Sequence, residues 1–362
     1  MASLHGKVLL RAPTSHDGTS RSVRIATNRY HPRIMLVPIS VLDLCPITQG
    51  SNAATTFQRT LELAQQAETL GYQRYWLAEH HGMPGIASAA TAVVIGHVAA
   101  GTRTIRVGAG GIMLPNHSPL VIAEQFGTLA SLFPGRIDLG LGRAPGSDQV
   151  TARALRRHLA TDADEFPRDV QELAEYFSAT PRTPVKAVPG TGLEVPLWIL
   201  GSSLYGAQVA AAFGLPFAFA SHFAPAQLMD AITIYRTQFR PSPRLTKPHV
   251  MLAMNVFAAP TREEAEFIAT SAQQAFVNLR IGNPGQLPPP VSGFKERLGP
   301  GERAMLDQVL SCSAVGNPAE VREAIQQFIA RTGANELLLG GMIFDHGARL
   351  RSFALAAEAL AA

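Results

Sequence analysis

A (β/α)8 TIM barrel, an α/β fold, is what this 362-residue sequence predicts. Three observations carry that expectation. From Arg33 onward, short apolar β-type runs alternate with helix-length amphipathic stretches, giving about eight strands each followed by a helix. Several of the runs are apolar on both faces, as strands in a helix-covered parallel sheet must be. No linker-like break interrupts the alternation between 34 and 345, which favours one closed barrel over an open sheet or two separate cores.

The first strand is IMLVPISVL (34–42), followed by a Pro/Gly/Asn loop and a helix over 55–71 that stops at Gly71. YQRYWLAEH (72–80) is the second strand, with its helix over 87–101, and TIRVGAGGIML (104–114) the third, with a helix from Pro119 to Leu132. RIDLGLG (136–142) precedes a long polar loop and a helix over 165–178. Then come LWILG (197–201) with helix 204–213, LPFAFAS (215–221) with helix 226–239, and HVMLAMNVFA (249–258) with helix 261–280. Helix 318–331, strand ELLLGGMIF (336–344) and helix 347–361 close the pattern. Segment 282–301 is rich in Pro and Gly, lacks periodicity and is too long for an ordinary connection, so it reads as a lid or a mobile insertion.

Composition narrows the function classes. Hydrophobic residues make up 46% and charged residues 16%, enough apolar material for a large core and too little charge for a disordered chain. The net charge of +4 invites a nucleic-acid reading, but residues 1–33 hold six basic groups (Lys7, Arg11, Arg21, Arg24, Arg29, Arg33) against Asp17. That leaves 25 Lys and Arg against 26 Asp and Glu in the body, so no basic groove and no nucleic-acid partner is expected. Residues 1–32 read as a basic, disordered extension preceding a barrel domain over 33–362. The extension's transit-peptide-like composition is the weaker reading. Two cysteines, Cys45 and Cys312, have no metal-ligand spacing, and a reducing cytoplasm fits them. The apolar runs fall short of the ~20 residues a membrane span needs.

Active sites of parallel barrels lie at the C-terminal ends of the strands, and four such ends carry chemistry. Glu79, His80 and His81 end the second strand. Adjacent histidines on a strand point to opposite faces and no H-x-x-x-H partner accompanies them, so no metal site is expected. A Glu79–His80 pair there is either a general base or a buried structural pair. Gly108 to Gly111 mark either turn chemistry or close approach of the backbone to a flat ligand over Gly110 and Gly111. GLGRAPG (140–146) puts Pro145 where a dinucleotide fingerprint needs its third glycine, and no helix follows directly, so a Rossmann reading fails. Its Arg143 could pair with a phosphate or form a surface ion pair. Gly201, Ser202 and Ser203 open a helix, where the backbone amides favour an anion; the serines could equally act as N-caps. Asn116, His117 and His222 also lie near the mouth.

These residues also carry a resemblance. WLAEHH (76–81), GAGGIMLP (108–115), AEQFGTL (123–129), GRIDLGLGRAPG (135–146) and ILGSSLYGAQVAAAFGLPFAFASHFAP (199–225) resemble the bacterial luciferase-like flavin-dependent monooxygenases over about residues 33–358. The resemblance implies FMN at the barrel mouth, with reduced FMN and O2 oxygenating a small organic substrate such as an aldehyde or a polyketide-like compound. It assigns catalysis to His80 with Glu79 beside it, a non-prolyl cis peptide under the flavin ring to Gly110–Gly111, and phosphate binding to Arg143 and Gly201 to Ser203. A luciferase cysteine near the reactive flavin carbon is replaced by Gly142, so light emission does not follow. With no nicotinamide motif visible, a separate flavin reductase is expected as partner, and the chain is expected to be a homodimer. Rival readings are a deazaflavin-dependent hydride-transfer enzyme on the same fold and a non-catalytic flavin-binding protein.

Overall fold

In the computed structural model, which describes residues 37–143, 149–155 and 165–361, the eight apolar runs and one further segment form nine parallel strands. These are β1 (Ile39–Asp43), β2 (Arg74–Leu77), β3 (Arg106–Met113), β4 (Ile137–Gly142), β5 (Leu197–Gly201), β6 (Phe217–Phe219), β7 (Val250–Ala258), β8 (Ser313–Gly316) and β9 (Glu336–Gly340). Strands β1 to β7 pair in sequence order, β9 pairs with both β7 and β1, and the ring of eight closes as a TIM barrel. The expected basic extension, and the Pro145 and Gly146 positions, lie outside the described residues.

One strand differs from expectation. β8 belongs to no predicted run and hangs on the far end of β7, from Asn255 opposite Ser313 to Ala258 opposite Gly316. Segment 282–301 is also tied down. Leu287 exchanges backbone bonds with Ile47 and Gln49 (2.8 and 2.9 Å), and the Val291 amide donates to Thr270 Oγ1. The carbonyl of Gly285 lies 2.2 Å from where a side chain on Gly85 would begin, a contact only glycine permits. From Pro300 the chain enters a helix, Pro300–Val309.

Helix boundaries follow local chemistry. The first helix, α1 (Ala53–Thr69), starts where Asn52 accepts from the Thr55 amide. The helix Pro318–Thr332 begins in a capping box, Asn317 accepting from Ala319 and Glu320 while Glu320 accepts from the Asn317 amide, and ends at Gly333 with φ 63°. The final helix, His346–Ala361, is bound to β1 by an ion pair between Arg349 Nη2 and Asp43 Oδ1 at 2.5 Å. Asp43 also accepts from Tyr75, Thr60 and the Cys45 amide. Burial alone would push this carboxyl up, but Arg349 and these donors hold it below the usual carboxylate range.

Strand alternation sorts side chains between the outer core and the barrel interior. The interior has a charged base in which Arg74 bonds Asp138 and Glu336, Arg106 bonds Asp138, and Ser40 bonds Glu336. Above it an apolar layer contains Leu42, Trp76, Trp198, Met251 and Leu338, with the two indoles edge to face at 5.2 Å. Towards the mouth the inward residues become small: Ala78, Ala218, Ala253, Gly110 and Gly140. The barrel is thus plugged below by charged and then apolar layers, with small residues above them. No helix among the described residues is long and apolar enough to cross a membrane.

Candidate active site at the barrel mouth

The inward series of β2, Arg74, Trp76 and Ala78, continues by alternation to His80 at the mouth. His80 is half-buried, and its charge acts on His222, which follows β6 on the opposite side of the ring. Burial, with a smaller contribution from His80, pushes the His222 imidazole down to about 4, so it is neutral at pH 7. The Nδ1 atom of His222 is buried with no hydrogen-bond partner among the described residues. Asn255, on the inward face of β7, donates to the His222 carbonyl at 2.9 Å and fixes this turn.

Glu79 faces the other way. It is buried, and its Oε1 lies 2.7 Å from Nε2 of both His81 and His117, while Oε2 accepts from the Met113 amide at 3.1 Å. Burial would raise this carboxyl, but the bonds from His117, His81 and Met113 lower it overall. The carboxylate is therefore committed to His81 and His117, a pairing that sequence reasoning missed by joining Glu79 to His80, although residues two apart on a strand share a face. His117, which the sequence left as a mouth residue or helix cap, joins this cluster.

The Gly110–Gly111 peptide bond is cis. A side chain on Gly110 would meet Leu42 and Trp76 at 3.1 Å, and one on Gly111 would meet the Gly140 carbonyl at 2.8 Å. Gly142, by contrast, has room: a Cβ there would lie 3.4 Å from Met113 Sδ, an ordinary contact.

Arg143 leaves β4 at the mouth, exposed, with its guanidinium 4.2 Å from the centroid of the Tyr205 ring. Tyr205 lies in the first turn of the helix Leu204–Phe213. Ser203 is the N-cap residue there, in extended conformation, but its side chain makes no capping bond. The first-turn amides are thus not satisfied by that hydroxyl, and the positive end of the helix faces the same region as Arg143. Gly201 and Gly206 allow this approach, since a Cβ on Gly201 would lie 3.3 Å from Gly206 Cα. Ser202 is exposed and Gly201 and Ser203 half-buried. Arg143 therefore lies beside the helix that Gly201 to Ser203 lead into, and its contact there is with Tyr205, which the sequence reading did not single out. Its signal was an aromatic residue just inside a Gly-Ser-Ser helix start.

A family model described as luciferase-like monooxygenase matches residues 37–336. The chain belongs to this family. A luciferase-like monooxygenase of Escherichia coli strain K12 is 57% identical over 323 residues, covering 89% of this chain and 96% of the relative. The crystal structure of apo-MsnO8 superposes with a TM-score of 0.80 at 34% identity, covering 89% of this chain and 98% of that one. More distant structures share the fold alone. An FMN complex of the oxygenating constituent of 3,6-diketocamphane monooxygenase from Pseudomonas putida has a TM-score of 0.65 at 17% identity, covering 89% and 97% of the two chains. An F420-dependent secondary alcohol dehydrogenase has a TM-score of 0.66 at 16% identity, covering 90% and 99%. As a luciferase-like monooxygenase the chain is placed among oxygenases acting on small molecules with O2.

Proposed function

We propose that this luciferase-like monooxygenase binds FMN at the barrel mouth and uses reduced FMN and O2 to oxygenate a small organic substrate. The observation that carries the reading is the convergence of Arg143, stacked on Tyr205, with a helix start whose N-cap serine makes no side-chain capping bond. A guanidinium that cannot lose its proton and a helix N-terminus both ask for an anion, and the FMN phosphate supplies one.

When bound, reduced FMN supplies the oxygen-activating chemistry. The chain's own residues do the rest. Gly110 and Gly111, lacking side chains above Leu42 and Trp76, make a flat bed for the ring. The apolar layer of Leu42, Trp76, Trp198, Met251 and Leu338 gives the site an apolar floor. His80 holds or moves a proton at the reacting end, and neutral His222 faces it. Glu79 acts as a positioning residue by tying the ends of β2 and β3 together. Reduced flavin comes from a separate reductase. A cytoplasmic homodimer is the expected assembly; α2 (Thr91–Ala100) and the helix Pro119–Leu132, which pack together, leave Val93, Val121 and Leu132 exposed.

Titration with FMN, riboflavin and a deazaflavin, followed by oxygen uptake with each reduced cofactor, tests the reading. FMN-selective binding with oxygen consumption supports it. Deazaflavin-selective binding without oxygen consumption overturns it in favour of hydride transfer, and flavin binding without turnover of any aldehyde or polyketide-like compound tested would favour a storage role.

A further inference from the structure

We infer that Glu79, His81 and His117 form a binding site for a divalent transition-metal ion, Zn(II) being the best match, beside the cofactor mouth and separate from it. The argument is one of convergence. The donor atoms come from two places in the chain, the end of β2 and the segment following β3, and all lie within 4.8 Å of one another. Two imidazole Nε2 atoms aim at a single carboxylate oxygen, each at 2.7 Å.

Two nitrogens and one carboxylate oxygen make a donor set suited to zinc and its first-row neighbours, and magnesium or calcium would ask for oxygen alone. Ligands held at about 2.0–2.2 Å around a tetrahedral ion sit about 3.3 Å apart. The two short contacts would therefore open by roughly 0.6 Å, a rotation of side chains with no strand displaced. The carboxylate is 1% exposed and its other oxygen is fixed by the Met113 amide, the kind of outer partner that orients a metal ligand. The histidine side chains are 14% and 25% exposed, so an ion can enter and a water can complete the tetrahedron.

An ion here would clamp the end of β2 to the segment following β3. Glu79 is bonded to the Met113 amide at the end of β3, the strand that carries Gly110 and Gly111, and by alternation from Leu77 in the outer core it lies on the face of its segment opposite His80. The inference does not depend on the identity of the flavin.

Co(II), which reports coordination by colour, is the probe. The untagged full-length chain, freed of metal and titrated with Co(II), should take up one equivalent and develop the intense visible bands of tetrahedral coordination. His81→Ala and His117→Ala should each weaken Co(II) binding by more than the ~10- to 100-fold typical of losing an outer partner. Zn(II) should displace Co(II) and raise the midpoint of thermal unfolding of the wild type alone. His346→Ala serves as control, because it removes a histidine paired with Glu62 at 2.7 Å elsewhere and should leave the bands intact. Should His117→Ala unfold, His117→Gln keeps the volume and tests the same ligand. Weak bands, or bands unchanged by the His81 and His117 substitutions, overturn the inference and leave the cluster a hydrogen-bonded brace.

Discussion

Arg143 lies over the ring of Tyr205, 4.2 Å from its centroid, and that stack holds an exposed guanidinium at the start of the helix Leu204–Phe213. An unsupported arginine at the surface would lose side-chain entropy on gripping a phosphate; one already resting on an aromatic face loses less. A charge-assisted hydrogen bond contributes roughly 1.5–3 kcal/mol. Arg143→Ala should therefore weaken FMN binding about 10- to 150-fold while changing riboflavin affinity little. Tyr205→Ala should move FMN in the same direction by less, and Tyr205→Phe should restore most of it. Equal losses for FMN and riboflavin would mean that Arg143 supports the fold or the ring.

His80 ends the inward row of β2, and its charge acts on His222 across the mouth. General acid–base assistance is typically worth about 10²–10⁴-fold in rate. His80→Ala should lower turnover within that range and leave FMN affinity near its original value, as read by separate steady-state and binding measurements. A change in turnover of less than about threefold would make His80 structural.

The eight barrel strands were legible because each is a short apolar run closed by glycine, proline or a polar cluster, and their order follows from parallel βα repetition. β8 was not. It is four residues long, pairs with one neighbour and is only half covered, so Ser-Ala-Val-Gly carries little periodicity. At the site, Arg143 and Gly201 to Ser203 could be placed at neighbouring strand ends from sequence because β4 and β5 are consecutive. The link between Glu79 and His117 spans 38 residues and depends on which face of β2 each side chain takes. Reading Glu79 and His80 as one unit ignored that alternation, and it hid His81 as well.

The two glycines at the end of β4 should respond differently to substitution. A Cβ on Gly140 would stand 2.4 Å from the Ala109 carbonyl oxygen and 2.6 Å from Leu200 Cδ1, and the backbone atom cannot move aside cheaply. Gly140→Ala should cost at least about 1–3 kcal/mol in urea unfolding, the usual range for overpacking. Gly142→Ala would place its Cβ 3.4 Å from Met113 Sδ and 3.7 Å from the Ile112 carbonyl oxygen, both ordinary contacts, and should change stability by no more than about 0.5 kcal/mol. Equal losses at the two positions would show that the strand end relaxes freely, against the tight backbone approach described for Gly140.

Glu68 provides a test of pH dependence away from the site. Its Oε1 accepts from the backbone amides of Arg103, Thr104 and Ile105 at 2.8, 2.5 and 2.9 Å, and so fastens the turn that leads into β3. Burial alone would raise this carboxyl, but the three amides and the Thr104 hydroxyl together outweigh it and lower it from 4.5 to about 2. A folded-state value below the unfolded one means that the folded protein binds fewer protons in between, so stability rises with pH there. The contribution is fully present above about 4.5, declines as pH falls through the interval, and is gone below about 2. Glu68→Gln cannot supply a charged acceptor at any pH. Its deficit in unfolding free energy against wild type should be constant from neutral pH down to about 5 and shrink towards about pH 3. A deficit that stays flat across that interval would show that Glu68 acts through packing or neutral hydrogen bonding, and that the amide cluster does not depress its titration.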